Sequence, residues 1–173
     1  MKKFIFLLII FIYSNSFSQW SRVNAGVEGG IIFTVYAVPS SNTLFCGSNG
    51  NGIFKSTNAG DSWFPVNNGI SNYGFYPVTF TSAGGTVFMG ANYSSINGGG
   101  MYRTTNGGTE WQKINTGLAG LSLSINMAIT VNSNIIIATD SGIFRTTNNG
   151  DSWNNISGNM GSNTSVESIF FAN

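Results

Sequence analysis

Thr146-Thr147-Asn148-Asn149-Gly150-Asp151-Ser152-Trp153 is an octet that decides how the chain is read, because it occurs three times. The other copies are Ser56-Thr57-Asn58-Ala59-Gly60-Asp61-Ser62-Trp63 and Thr104-Thr105-Asn106-Gly107-Gly108-Thr109-Glu110-Trp111. A Gly-apolar-aromatic-cation run precedes each one: Gly52-Ile53-Phe54-Lys55, Gly100-Met101-Tyr102-Arg103 and Gly142-Ile143-Phe144-Arg145. The tryptophans are 48 and 42 residues apart. A period of that size belongs to repeated four-stranded units. Hydroxyl and amide side chains at positions one and three can bond nearby backbone and hold a turn. Glycine at position five (Gly60, Gly108, Gly150) supplies a backbone with φ > 0. The tryptophan then opens the next strand with ~150–250 Å² of surface to bury and a ring N–H that needs an acceptor.

Around each octet the same four apolar runs recur. They lie at 32–38, 43–47, 52–55 and 63–67; at 77–81, 86–91, 100–103 and 111–115; and at 126–131, 134–139, 142–145 and 153–157. Turn residues separate them, and no window carries a capped helical period. The small residues Gly47, Gly90 and Ala138 share one repeat position, where sheets are expected to approach closely. Cys46, the one cysteine, aligns with Met89 and Ile137 and reads as a buried apolar position.

The pattern Ser/Thr-x-Asn-x-Gly-x-x-Trp resembles the Asp-box, or bacterial neuraminidase repeat, of β-propellers such as sialidases, sortilin-type receptors and photosystem II stability factors. The residues that carry the resemblance are Ser56, Asn58, Gly60 and Trp63; Thr104, Asn106, Gly108 and Trp111; and Thr146, Asn148, Gly150 and Trp153. This chain has Asn where the family usually has Asp, and Thr109-Glu110 replaces Asp-Ser in the second copy. The resemblance implies an all-β fold: a partial propeller of about three four-stranded antiparallel blades (31–67, 77–115, 126–157). In the family the box lies on the outer rim, away from any active site, so the octets read as structural.

Both ends of the chain extend this picture. Lys2 and Lys3 precede an apolar run over 4–13, and Ser16-Phe17-Ser18 fits a small-x-small cleavage site. Residues 1–18 therefore read as a secretory signal peptide, with the mature domain over 19–173 exported to the medium or the cell surface. The apolar run is shorter than the ~20 residues of a membrane span. Trp20-Ser21-Arg22-Val23-Asn24-Ala25-Gly26 repeats Trp63 to Gly69 without a box before it, so it reads as a stray outer strand. Residues 166–173 read as the first strand of a further blade, with the remaining blades expected downstream.

Composition narrows function by exclusion. Charged residues are 8% of the chain, aromatics 14%, and net charge is +1 without a basic cluster. Neither nucleic acid nor an anionic membrane is indicated. There is no histidine, so the commonest general base and metal ligand is missing, and no cofactor motif appears. Asp61, Glu110 and Asp151 are locked in octets and Asp140 in a Thr-Asp-Ser-Gly turn, which leaves Glu28 and Glu167 as unassigned acids. The chain therefore reads as non-catalytic.

Two connections depart from the repeat, at 67–76 and 91–99. In an up-and-down sheet both emerge opposite the octets, on the ligand-binding face that the resemblance implies. Tyr73, Tyr76 and Tyr93 beside Asn72 and Asn92 are the candidate binding residues for a glycan or an extracellular protein. The alternative is that Phe75 and Tyr76 begin an inner strand and pack in the core, while Tyr93 caps a floppy loop. A second function follows from the resemblance: a sialidase- or xyloglucanase-like hydrolase with catalytic residues in other blades. An assembly factor similar to the photosystem proteins is a third. If Trp111 is core, Trp111→Ala will cost about 3–5 kcal/mol, read as a lowered midpoint in urea unfolding.

Overall fold

The computed structural model describes residues 22, 24–27, 29–70, 76–92, 99–161 and 164–172. It contains three four-stranded antiparallel sheets, each an uncrossed meander. Sheet one is β1 (Ile32–Ala37), β2 (Leu44–Ser48), β3 (Gly52–Ser56) and β4 (Phe64–Pro65). Sheet two is β5 (Tyr76–Ala83), β6 (Thr86–Asn92), β7 (Gly100–Thr104) and β8 (Gln112–Lys113). Sheet three is β9 (Ile125–Val131), β10 (Asn134–Thr139), β11 (Gly142–Thr146) and β12 (Asn154–Asn155). A 3₁₀ turn at Gly120–Leu123 leads into sheet three and is the only helical element among the described residues. The hairpins β5–β6 and β9–β10 turn on Gly84-Gly85 and Asn132-Ser133, all at positive φ, which gives a twist that matches the flanking strands.

Alternation along each strand sends two sets of side chains in opposite directions, and the sheets stack face to face on them. Phe45 and Ile53 of sheet one meet Phe80, Val87, Met89, Tyr102 and Trp111 of the second unit. The opposite side chains of sheet two, Phe88 and Met101, meet Ala128, Ile135, Ile137, Phe144 and Trp153 of the third. Gly47 and Gly90 are in the interior of central strands because a Cβ there would strike Pro77 and Ile125, where the next sheet's inner strand begins. Cys46 is buried, and that burial pushes its thiol up to about 11, against a smaller opposing pull from a hydrogen bond with the Phe54 backbone. It is an interior filler.

The outer strands are shorter than the repeat suggested. They begin after each tryptophan, because the tryptophan N–H bonds the preceding unit instead of its own ladder. Trp63 N donates to Ala25 O (2.8 Å), Trp111 N to Asn68 O (2.9 Å) and Trp153 N to Thr116 O (2.9 Å). The indoles reach the same way: Trp111 Nε1 donates to Val66 O (2.9 Å) and Trp153 Nε1 to Ile114 O (2.7 Å). Beneath each tryptophan is the glycine of a receiving turn (Gly26, Gly69, Gly117), where a Cβ would overlap the Trp63, Trp111 and Trp153 carbonyl groups respectively. The tryptophan thus latches one sheet onto the sheet before it, which the periodicity did not reveal.

Inside each octet the first hydroxyl accepts two amides: Ser56 Oγ from Asn58 N and Gly60 N, Thr104 Oγ1 from Asn106 N and Gly108 N, Thr146 Oγ1 from Asn148 N and Gly150 N. That hydroxyl donates in turn to the third-position amide oxygen, which also accepts the N–H of residue seven. Asn suits the third position here because its Nδ2 gains an acceptor: Asn58 donates to Ser62 Oγ and Asn148 to Ser152 Oγ. In the second octet residue seven is Glu110, which has no hydroxyl. Position four is also left-handed, at Ala59 (φ 57°), Gly107 and Asn149. Ala59 is exposed and holds this conformation against the Cβ repulsion it entails, a cost of roughly 1–2 kcal/mol. Ala59→Gly will therefore raise stability by about 0.5–1 kcal/mol after the extra unfolded-state entropy of glycine is counted, read as a higher urea midpoint at unchanged m-value.

Candidate functional site

The repeat-locked cations ahead of the octets are docking groups. Lys55 Nζ donates to Gly107 O (2.7 Å) in the next sheet's octet. Arg103 Nη1 donates to Asn149 O and to Asp151 Oδ1 (2.7 Å), while its other nitrogens bond Gln112 Oε1. Arg145, in the equivalent place on sheet three, is exposed and has no partner among the described residues. On this side of the sheets the polar groups largely satisfy one another.

The opposite side holds a chain of polar contacts. Tyr76 pairs with Asn92 across β5 and β6. The Tyr76 ring is half-buried, 6.0 Å from the Phe33 ring at 48°. Asn92 Oδ1 accepts from the buried Ser124 Oγ (2.9 Å), and Asn92 Nδ2 donates to Asn126 Oδ1 (3.4 Å). Asn126 Nδ2 donates to Asp140 Oδ1 (2.9 Å) and to Val166 O (3.1 Å). Ser165 Oγ lies 3.2 Å from both Asp140 Oδ1 and Glu167 Oε1, and its single proton serves one carboxylate at a time. The rail joins sheet two, sheet three and the segment 164–172. That segment packs by Val166 N on Thr139 O and Ile169 N on Met127 Sδ and forms no ladder among the described residues.

Two of the five predicted binding residues, Tyr76 and Asn92, thus lie side by side, and Asn92 is spent on the rail. Asn72, Tyr73 and Tyr93 lie outside the described residues, as do Glu28 and Trp20. Reading the sequence missed Ser124, Asn126 and Ser165 as members of one network. The signal was present as a repeated triplet, Ser124-Ile125-Asn126 at the entrance to β9 and Ser165-Val166-Glu167 in the segment 164–172. Chemically the rail offers amide, hydroxyl and carboxylate groups suited to hydroxyl-rich or peptide ligands. Among the described residues no three His, Cys, Asp or Glu side chains are grouped to hold a metal ion. No helix there is long and apolar enough to cross a membrane.

Partial burial pushes the Asp140 carboxyl up, but hydrogen bonds from Asn126, Ser124 and Ser165 together outweigh it and hold the carboxyl below its usual range. A depressed folded value means the carboxylate stabilises the fold above the unfolded value and ceases to do so as pH falls through the folded one.

The chain matches no protein-family model and no curated protein sequence. Solved structures do resemble it. An ancestral GH74 enzyme superposes with a TM-score of 0.65 at 19% identity, over 78% of this chain and 20% of the other. YCF48 bound to D1 peptide gives 0.58 at 18% identity, over 72% of this chain and 40% of the other. The extracellular domain of a hybrid two component system from B. thetaiotaomicron gives 0.51 at 19%, over 72% and 16%. All three are propellers. The fold is a β-propeller, and the three sheets are consecutive blades of it. At these identities the likeness is one of fold, and the chain spans two fifths or less of each of these proteins.

The linkage of Asp140 is testable without a ligand. Asp140→Asn will be less stable than the parent at neutral pH; the difference in urea midpoint will begin to shrink as pH falls through the unfolded value of about 4 and close once pH passes the lower folded value, where the parent's carboxylate is protonated. A difference that stays constant down to acid pH would mean the carboxylate's charge contributes nothing.

Proposed function

We propose that this chain is a stretch of an exported, non-catalytic propeller of the Asp-box kind that binds a glycan or an extracellular protein through its loop face. One observation carries the reading. On the octet face Lys55 and Arg103 are spent on the neighbouring blade, whereas the Tyr76–Asn92 pair and the polar rail, which ends at the exposed Glu167, line the other face. Support for export comes from the N-terminal basic-apolar-small pattern and from an extracellular domain among the similar structures. Support for a peptide-type ligand comes from a propeller of this fold that carries a bound peptide. Tyr73 and Tyr93 bring aromatic faces to the connections at 67–76 and 91–99, and such faces stack on sugar rings or grip side chains.

The test is binding of the full chain to glycan and peptide arrays. Tyr73→Ala and Tyr93→Ala will each weaken the strongest signal while leaving thermal unfolding unchanged. Equal binding by parent and variants would remove the loop face from the account. A second reading, a xyloglucanase- or sialidase-like hydrolase, is favoured by the two carboxylates of Asp140 and Glu167 set around one hydroxyl, since glycoside hydrolysis needs such a pair. Turnover of xyloglucan or a sialyl substrate that Asp140→Asn or Glu167→Gln abolishes would establish it in place of the first.

A further inference from the structure

The two blade junctions share a set of contacts, and this repetition gives a template for the far face of blade three. At each junction the earlier blade supplies a cation, an apolar residue with a free carbonyl, and a receiving turn. Blade one supplies Lys55, Val66 and the turn 67–70; blade two supplies Arg103, Ile114 and the turn 115–118. Blade three repeats the first two parts. Arg145 is exposed, Ile156 is 39% exposed, and Ile156 N bonds Ile143 O as Val66 N bonds Ile53 O. The inner end of this face is already occupied by 164–172. Ile169 N meets Met127 Sδ there just as Ala128 N meets Thr79 Oγ1 one junction earlier.

The third part is different. Gly26, Gly69 and Gly117 hold the third place of their turns at positive φ and lie under a tryptophan carbonyl that leaves no room for a β-carbon. In Ser157-Gly158-Asn159-Met160 that place belongs to Asn159, and positive φ moves one residue earlier, to Gly158. The turn still closes, by Met160 N on Ser157 O, but with a β-carbon where the next tryptophan carbonyl would lie.

We infer that the far edge of blade three takes a blade unlike the other two. It is built on 164–172 as its inner strand and gives Arg145 a main-chain carbonyl and a carboxylate, but it enters its outer strand without a tryptophan corner. The occupant is a continuing blade rather than a second copy of this chain. Blade one of a second copy would arrive with its own turn at 24–27 already holding the Trp63 amide, in the space that 157–160 fills. The inference depends on the propeller fold and not on the proposed ligand, so loss of binding in the arrays would leave it untouched.

A graft tests it. Residues 1–172 are extended by a second copy of 132–157, which brings its own octet and tryptophan, in two forms: one with the native turn and one with Gly158→Thr and Asn159→Gly, which restores the Thr-Gly of 116–117. Fluorotryptophan labelling and fluorine NMR read the environment of the added indole, assigned by replacing it with Phe. The expected result is a solvent-like signal with the native turn and a shielded one, close to those of Trp111 and Trp153, with the restored glycine. A shielded added indole with the native turn, or an exposed one in both forms, would overturn the inference.

Discussion

The structure depends on one steric coincidence repeated along the chain: a tryptophan carbonyl occupies the place a β-carbon would take on a glycine of the unit before it. Around that contact everything else is arranged to keep the two units in register. The backbone N–H of the tryptophan bonds the residue beside the glycine, and its indole N–H bonds the carbonyl just before the turn. The ring fills the gap between sheets, in the case of Trp111 edge-on to Phe45 at 5.8 Å. A buried indole nitrogen without an acceptor would cost more than the bond returns, so the acceptor position is as constrained as the ring.

Seen this way, the polar octet and the apolar sheets are parts of one device. The octet's hydroxyl–amide cradle fixes two successive left-handed residues and so delivers the tryptophan to the neighbouring blade and not to its own. Its fourth carbonyl, turned outward, receives the cation of the previous blade. Gly108 and Gly150 lie against Phe45 and Ile114, which makes the octet a lid on the preceding core as well as a corner of its own sheet. Lys55, Arg103 and Asp151 are used in this way, so that on a surface poor in ions three charges help to specify blade order.

Much of this was legible in advance. Strand number, meander order, the close-packing role of Gly47 and Gly90 and the interior place of Cys46 follow from period-two alternation and the spacing of the repeats, because each depends on residues near one another in sequence. The direction of the tryptophan latch was not legible. It joins Trp111 to Val66 and Trp153 to Ile114, and a repeat looks the same whether a conserved position faces its own unit or the next. Left-handed Ala59 was missed because alanine carries no signal for that conformation. The rail from Asn92 to Glu167 was missed because its members come from three units, and the triplet that marks it is too short to separate from chance. Tyr76 shows how loop and strand blur: the binding-loop reading and the inner-strand reading both include it, and it is the first residue of β5 and the ladder partner of Asn92.

The latch has a polarity: the acceptor surfaces that Trp63, Trp111 and Trp153 use all precede them in the chain. A ribosome makes the chain in that same order, so each blade emerges to find its dock already built and never waits with its indole in water for a partner still to be made. Earlier blades can thus template later ones during synthesis, at a stage when exposed strand edges would otherwise pair with the wrong neighbour.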